Sequence, residues 1–425
     1  MRLNIVSRHA GSLNVVSSIL GCIVYTVKRI RKSTYRITSL QPLLLVVCSV
    51  YTTSMNGGCM ADLGVGMIGC GSIALSAHLP ALTQLASVAH LVNVCDIRRD
   101  VAEQTARTFG VPRWSSNYHE LLDDSEVDAV IITTPEFLHA EQTIAAVQAG
   151  KHVLCEKPMA ATLAEADAMI AAAASAGVHF MIGHSRRFTE RYRAVREILD
   201  SGTLGTPVII RENERRPRAQ YSALNLPVDI WHPEPGRSQS WKDLTRYSGG
   251  VVRGHAIHEM DLFRWFAGAE ARSINAESKI TIPGREVADA IAFQIIFAND
   301  VLAACDLYSQ APTGYPYYHQ LEIVGTEGIL RARDTDMITV TRFDEHGMHF
   351  PTAYESLLHI TDAYVAEQRV FFDCIVTDTP VPLNPLDARS ALELALAAQY
   401  AAETGTRVDL PFADAPDRKG AGWNA

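Results

Sequence analysis

The sequence lacks several features that would point to particular classes of protein. Its eight cysteines form no C-x-x-C pair and none stands at a zinc spacing with histidines, so neither a redox motif of that type nor a metal site is predicted. It contains no internal repeat and no low-complexity tract, and 20% of its residues are charged, so wholesale disorder is not expected. A reduced, cytoplasmic, globular protein is the simplest interpretation.

Acidic residues are missing from the first 61 positions, which nevertheless carry seven lysines and arginines. Without those seven, the 38 basic residues of the chain fall to 31 against 47 acidic ones, so the formal charge changes from -9 to -16. A body this acidic repels phosphate backbones, and we therefore expect no nucleic-acid partner.

Long hydrophobic runs are also absent. The apolar runs Leu13–Val27 and Leu43–Tyr51 are shorter than the roughly 18–20 residues of a membrane-spanning helix, so membrane association is not expected. Residues 1–59 could be a targeting peptide, a weak anchor, or sequence upstream of the true start. Because Met60 stands directly before the first strand pattern, the third explanation is favoured, and residues 1–59 are treated as a basic extension outside the fold.

Strand and helix patterns alternate with short connections from residue 60 to residue 184. This alternation is typical of an α/β Rossmann domain with a doubly wound parallel sheet. The predicted strands are Leu63–Ile68, Leu91–Cys95, Ala129–Thr133, Val153–Cys155 and Phe180–Ile182. The predicted helices are Ser76–Ala86, Val101–Phe109, His139–Ala149 and Ala160–Ala176.

The pattern changes in residues 185–411, where strands follow one another without intervening helices. Consecutive strands indicate an antiparallel sheet and hence an α+β second domain, followed by a tail at 412–425. The predicted strands lie near Ala288–Phe297, Val301–Tyr308, Gln320–Gly325 and Ile338–Arg342. The stretch Glu214–Gly250 is predicted as loops, and helices are predicted at Arg191–Asp200, His255–Phe266 and Pro385–Ala402, the last capped by Asn384.

A glycine turn follows the first predicted strand and opens the first predicted helix. In the sequence Gly69-Cys70-Gly71-Ser72-Ile73-Ala74, Gly69 permits the tight turn and Gly71 allows a pyrophosphate to approach the backbone. Ala74 keeps the helix close to the strand, and the free N–H groups of the turn and helix N-terminus, including Ser72 and Ile73, face the phosphate. Taken alone, such a turn can also bind nothing.

Asp96 ends the second predicted strand, where a carboxylate can accept hydrogen bonds from the ribose of a dinucleotide. Its alternative role is to cap the next helix. Together with the glycine turn it predicts dinucleotide binding. Arg98 and Arg99 could instead face the 2′-phosphate of NADP, but Asp96 would repel that phosphate, so NAD is favoured.

Glu156-Lys157-Pro158 follows the strand Val153–Cys155 and therefore lies at a carboxyl strand end, where α/β sheets bind ligands. A lysine there can hydrogen-bond a substrate hydroxyl while hydride leaves, and Glu156 can tune its charge. The alternative is a solvated surface lysine.

These motifs together resemble the glucose–fructose oxidoreductase / inositol dehydrogenase (Gfo/Idh/MocA) family. The resemblance also rests on Thr134-Pro135 with His139, on the run from Ala149 to Pro158, and on the segments at 183–188 and 202–205. It implies a Rossmann domain with Thr134, Pro135, His139 and Glu156 at the cofactor, and a second domain with an open, mostly antiparallel sheet. It further implies an NAD(P)-dependent oxidoreductase acting on sugars, polyols or related small molecules, in a dimer or tetramer.

The segment from Gly249 to Asp261 resembles the family's catalytic segment in the second domain. That resemblance implies His258 as general base and Asp261 as a partner of substrate hydroxyls. Gly254 stands where the family usually has an aspartate, and His255 or Glu259 could partly replace it. Arg186 could contact an anionic substrate or form a salt bridge.

The resulting hypothesis is an NAD(P)-dependent dehydrogenase with Lys157 and His258 as its catalytic residues. Two alternatives remain open because of Gly254: a non-redox hydrolase or lyase that uses bound NAD, and a protein that senses NAD or a ligand without turnover.

Overall fold

The computed structural model describes residues 62–217, 240–312, 314–333, 337–344, 347–348, 352–355 and 360–412. The basic extension 1–59 and residues 413–425 of the predicted tail therefore lie outside the described residues, as does part of the predicted loop stretch. Among the helices that are described, none combines the length and apolar character needed to cross a bilayer.

The first sheet has six parallel strands in the order β3-β2-β1-β4-β5-β6. The strands are β1 (Leu63–Ile68), β2 (Ala89–Cys95), β3 (Arg113–Ser115), β4 (Ala129–Ile132), β5 (His152–Glu156) and β6 (Phe180–Gly183). Strand order reverses between β1 and β4, and this switch point opens a crevice at the carboxyl strand ends. The glycine turn and Lys157 both follow strands at that edge, as the sequence predicts.

Helices connect these strands and bury the apolar residues of the sheet. They are α1 (Leu79–Gln84), preceded by a π-helical turn at Ala74–His78, α2 (Arg99–Phe109), α3 (Tyr118–Leu122), α4 (His139–Gln148) and α5 (Leu163–Ala176). In α5, Thr162 and Glu165 form a reciprocal capping box, and Gly177 ends the helix with a φ of +66°. The α/β Rossmann architecture is therefore confirmed.

The second sheet is mixed and mostly antiparallel, in the order β14-β13-β12-β11-β7-β10-β9-β8-β16, with β15 beside β13. Its strands are β7 (Pro207–Pro217), β8 (Ala271–Lys279), β9 (Ala290–Phe297), β10 (Leu302–Ala311), β11 (Tyr318–Gly325), β12 (Gly328–Arg333), β13 (Met337–Asp344), β14 (Gly347–Met348), β15 (Thr352–Glu355) and β16 (Val408–Asp409). Within this sheet β7 and β10 run parallel. The predicted α+β character of this part is confirmed, while the exact domain limits at 184 and 411 stay predictions.

Three longer helices accompany the second sheet: α6 (Glu190–Asp200), α7 (Ile257–Ala267) and α9 (Pro385–Thr404). Helix α8 (Ile360–Thr377) instead packs beside the first sheet, on α1, on β5 and on the π-helical turn at Ala74–His78. Helix α9 is capped by the Asn384 side chain, with Pro385 in its first turn, as predicted. Helix α8 is absent from the predictions. Its β-branched and aromatic residues have low helix propensity. In addition, Glu367 and Gln368 are fully buried, so polar residues interrupt the apolar face by which an amphipathic helix is recognised.

The predicted loop stretch Glu214–Gly250 was wrong at its start, because Glu214 to Pro217 belong to β7. The inward-facing positions of this strand include Glu212 and Glu214, both buried. Charged residues on the buried face remove the alternation of apolar and polar residues by which a strand is recognised.

Candidate active site

A cavity of about 1570 Å³ extends from the carboxyl ends of β1, β2 and β5 to the second sheet. It exceeds the roughly 300–1,000 Å³ of a typical small-molecule site, so a dinucleotide and a second ligand have room together. Most of the predicted site residues line it: Gly69, Gly71, Ser72, Ile73, Asp96, Arg98, Thr134, Pro135, His139, Glu156, Lys157, Arg186, His255 and His258. Ala74 is buried in the core instead, which agrees with its predicted packing role.

The glycine turn fits a pyrophosphate. Gly69 has a φ of +94°, and a Cβ atom there would lie 2.9 Å from the backbone N of Thr134, so a larger residue is excluded. A Cβ atom at Gly71 would meet nothing within 4 Å. It would project into the open cavity, into the space that a phosphate needs.

Asp96 is buried beside this turn, and its carboxylate accepts hydrogen bonds from two backbone N–H groups and one side chain. Oδ2 accepts a hydrogen bond from Cys70 N at 3.0 Å, and Oδ1 accepts from Arg98 N at 3.0 Å and Arg98 Nε at 3.3 Å. Arg98 is therefore paired with the carboxylate. The guanidinium of Arg99 lies over the Trp114 ring, 5.0 Å from its centroid.

His139 reaches the cavity wall, but both ring nitrogens face backbone carbonyls. Nδ1 lies 2.8 Å from Pro158 O, and Nε2 lies 2.9 Å from Thr134 O. Burial lowers the pKa of this imidazole. Its position ties the Thr134-Pro135 turn to the Glu156-Lys157-Pro158 segment, so any effect on cofactor binding would be exerted through those neighbours.

Lys157 bridges the two parts of the chain. Its Nζ atom donates a hydrogen bond to Gly254 O at 2.8 Å, and its backbone N donates to Glu156 Oε2 at 3.1 Å. Burial of Glu156 favours the neutral acid, but a hydrogen bond from His78 and the charge of Lys157 outweigh this and lower its pKa. Glu156 therefore stays ionised next to the lysine.

His255 lies in a π-helical turn at Val252–Ala256, and this turn leads into α7, which carries His258 in its first turn. Burial, reinforced for His258 by the charge of Lys157, holds the pKa of both imidazoles well below 6.5. His258 Nδ1 has no hydrogen-bond partner among the described residues. The His258 ring also lines the cavity, and a neutral imidazole at a cavity wall can accept a proton.

Gly254 lies in the same turn and lines the cavity. A Cβ atom at this position would meet nothing within 4 Å, and the residue is not among those with positive φ. The site therefore has room for the side chain that the family resemblance leads one to expect there.

The predicted contact between Asp261 and substrate finds no support. Asp261 is 1% exposed, is not among the cavity-lining residues, and forms a two-pronged ion pair with Arg187, with Nε–Oδ2 at 2.8 Å and Nη2–Oδ1 at 2.6 Å. It lies 3.8 Å from His184 Nδ1, and the His184 ring packs edge-on to His258 with centroids 6.0 Å apart. Asp261 thus belongs to a layer behind His258.

Arg186 lines the cavity, but its guanidinium is occupied by carboxylates. It binds Glu259, and it binds Glu214 with Nη2–Oε2 at 2.9 Å. The salt-bridge interpretation therefore accounts for it. Because Glu259 is fully buried against Arg186, it is not placed to substitute for an aspartate at position 254.

The sequence interpretation did not identify a polar wall on the second sheet. Tyr192 and His319 line the cavity, and the Tyr192 hydroxyl donates to Glu212 Oε1 at 2.8 Å. His319 also pairs with Glu212, and the Tyr317 hydroxyl donates to Glu214 at 2.9 Å. No motif signals these residues, since they come together only when β7, β11 and α6 pack.

Two family models match the chain. Residues 63–184 match "Oxidoreductase family, NAD-binding Rossmann fold", and residues 192–331 match "GFO/IDH/MocA C-terminal domain". Together they cover the six-stranded sheet and the part of the second sheet that runs from β7 into β12. The first match covers the glycine turn and Lys157, and the second covers His258.

Similar proteins are dehydrogenases and reductases. The chain is 28% identical over 352 residues to myo-inositol 2-dehydrogenase of Thermotoga maritima, covering 81% of this chain and 98% of that protein. It is 31% identical over 274 residues to 1,5-anhydro-D-fructose reductase of Ensifer adhaerens, covering 63% and 75%. A levoglucosan dehydrogenase solved with NADH and L-sorbose shares 25% identity with a TM-score of 0.72, covering 83% and 100%. This chain belongs to the Gfo/Idh/MocA family of NAD-dependent oxidoreductases.

Proposed function

We propose that this protein transfers hydride between NAD and a secondary hydroxyl, or its carbonyl, on a sugar or polyol. The observation that carries the proposal is that one cavity is lined by the glycine turn, by Lys157 and by His258 together. The relatives named for inositol, anhydrofructose and levoglucosan support the same substrate class.

The residues divide the work by their chemistry. Gly69, Gly71 and Asp96 would hold the dinucleotide, and NAD supplies the hydride acceptor when bound. Lys157 donates a hydrogen bond to the substrate oxygen and stabilises negative charge there, and neutral His258 accepts the hydroxyl proton. Gly254 contributes its carbonyl to Lys157 but no carboxylate.

The test is the absorbance of reduced nicotinamide, followed with NAD and a panel containing myo-inositol, scyllo-inositol, levoglucosan and glucose. Growth of the absorbance supports the proposal. Product formation without net NADH would favour the hydrolase or lyase alternative, while tight NAD binding without turnover on any substrate would favour the sensor.

The pH profile of oxidation gives a second test. Because burial and Lys157 lower the pKa of His258, the base remains neutral, and hence active, as pH falls through 6.5. We expect kcat/KM to stay level down to pH 6.5 and to decline only in more acidic solution. An acidic limb centred above pH 6.5 would contradict the assignment of His258.

Replacement of Asp96 should affect cofactor binding, through the lost ribose contact and through the glycine turn, because its carboxylate also accepts a hydrogen bond from Cys70 N. We expect Asp96→Ala to raise KM for NAD about tenfold, since a hydrogen bond to a charged group contributes about 1.5–3 kcal/mol, while kcat stays within about threefold. The ratio of NADP to NAD use should rise because the repelling charge is gone.

Asp100→Ala is the matched control, because Asp100 is exposed in the first turn of α2. An unchanged KM for NAD in Asp96→Ala, with native KM also in the control, would show that the carboxylate does not contact the cofactor.

We further propose a cytoplasmic homo-oligomer, a dimer or tetramer. The five cysteines in the described ranges, Cys70, Cys95, Cys155, Cys305 and Cys374, are free and buried, which suits a reducing compartment. Light scattering on the purified chain tests the oligomeric state.

A further inference from the structure

Helix α8 carries two fully buried polar residues, Glu367 and Gln368, for which the proposed chemistry gives no reason. The helix packs on the π-helical turn at Ala74–His78, on α1 and on β5. Buried polar side chains are costly unless they are hydrogen-bonded, so their partners carry information.

Gln368 reaches His78, which is also completely buried. Its Nε2 atom lies 3.1 Å from His78 Nδ1 and 3.1 Å from His78 O. An amide nitrogen can only donate, so His78 Nδ1 is an acceptor and the ring proton resides on Nε2. The Tyr364 ring, one turn earlier on α8, packs edge-on against His78 at 4.9 Å between centroids.

His78 in turn bonds Glu156 in the Glu156-Lys157-Pro158 segment. His78 Nε2 donates to Glu156 Oε1 at 2.9 Å, and the other oxygen of Glu156 accepts from Lys157 N at 3.1 Å. Lys157 Nζ is held by Gly254 O at 2.8 Å. A row of hydrogen bonds therefore runs from α8 to the backbone of the residue that carries the proposed catalytic ammonium.

Glu367 lies near these hydrogen-bonded residues, where a second negative charge would act on Glu156. Neither of its carboxylate oxygens has a hydrogen-bond partner among the described residues, and burial together with the charge of Glu156 raises its pKa well above the usual range. Both effects favour the protonated form of Glu367. Glu156, whose pKa is lowered, is the carboxylate that is bonded to His78 and to Lys157 N.

We propose that His78 and Gln368 are positioning residues for turnover, which hold Glu156 in the orientation that places the Lys157 ammonium at the substrate oxygen. The inference rests on the proposed function of Lys157. A displacement of a reacting group by about 1 Å can cost about 10²-fold in rate, so loss of this support falls on kcat rather than on cofactor binding.

Two substitutions at His78 test the proposal, because their amide groups take the positions of different ring nitrogens. In His78→Gln the amide nitrogen lies near the position of Nε2 and can still donate to Glu156. In His78→Asn the shorter side chain places its amide near the position of Nδ1, so it cannot reach Glu156. We expect His78→Gln to keep kcat within about threefold of native and His78→Asn to lose at least about tenfold, with KM for NAD changed less than about twofold in both.

Gln368→Met supplies the second measurement, since it preserves volume but removes the donor to His78. It should lower kcat about tenfold, whereas Arg369→Ala, an exposed neighbour on α8 that pairs with Asp373, should not. Melting temperatures establish that each variant is folded, and if Gln368→Met does not fold, the His78 pair decides. Equal kcat for His78→Gln and His78→Asn, or native kcat in folded Gln368→Met, would overturn the proposal.

Lys157→Met, assayed with the same substrate, separates this inference from the proposed function. Retained turnover in Lys157→Met refutes the role of the lysine itself. Loss of turnover in Lys157→Met together with native kcat in the His78 and Gln368 variants refutes only the positioning role.

Discussion

Lys157→Met is expected to lower kcat for substrate oxidation by about 10³-fold, since it removes both a donor to the substrate oxygen and the charge that stabilises it. Methionine fills a similar volume but carries no ammonium, so the segment between β5 and α5 should remain folded. The hydrogen bond from Nζ to Gly254 O is also lost. Steady-state kinetics followed through NADH absorbance give the measurement.

The control for this variant is Lys279→Met, which removes an exposed ammonium at the end of β8. Its kcat should equal that of the native protein. Binding of NAD to Lys157→Met, measured by calorimetry, should remain within about tenfold of native, because the pyrophosphate and ribose contacts are untouched. A variant that keeps a tenth or more of native turnover would refute the assignment of Lys157.

Gly254→Asp is expected to raise kcat for oxidation about tenfold, which is less than the roughly 10²-fold at the lower end of what a positioned acid or base contributes. The structure offers space for the side chain and no backbone strain. The new carboxylate would lie on the same face of the turn as His258, four residues later, and beside the ammonium of Lys157. It would favour the protonated imidazole, so the pKa of His258 should rise and the acidic limb of the pH profile should move to higher pH.

Gly254→Asn separates charge from volume, because asparagine fills the same space without a negative charge. We expect it to leave both kcat and the acidic limb near their native values. An equal gain in Asn and Asp would show that the charge is irrelevant. Loss of activity in Gly254→Asp, with the Asn variant unaffected, would mean that turnover in the native site requires position 254 to carry no negative charge.

Local signals were sufficient for the cofactor half of the site. Gly69 and Gly71 are dictated by backbone geometry, and Asp96 follows a strand whose end is readable from its apolar run, so their placement at one sheet edge could be predicted. The same holds for Lys157, which stands at the end of β5. Each of these residues is positioned by its own strand and the turn that follows it.

The substrate half depends on contacts between distant segments, which local sequence patterns predict less well. Asp261 and Arg186 could be picked out from the motifs that contain them, but not what their side chains bind. Asp261 pairs with Arg187, and Arg186 pairs with the buried Glu214 and Glu259. Whether a charged residue faces a cavity or a buried partner is decided by tertiary packing. The π-helical turn at Val252–Ala256 is another such case, since periodicity alone predicts an ordinary helix from His255.

The position of α8 has a consequence for synthesis of the chain. This helix packs on α1 and β5, yet it comes from residues 360–377, long after the six-stranded sheet has left the ribosome. Until then the apolar side chains of Ala77 and Ala81, which Tyr364 covers in the finished protein, have no partner from α8. The dinucleotide-binding half is therefore completed only by a late segment, and a nascent chain arrested before α8 should expose this surface to chaperones.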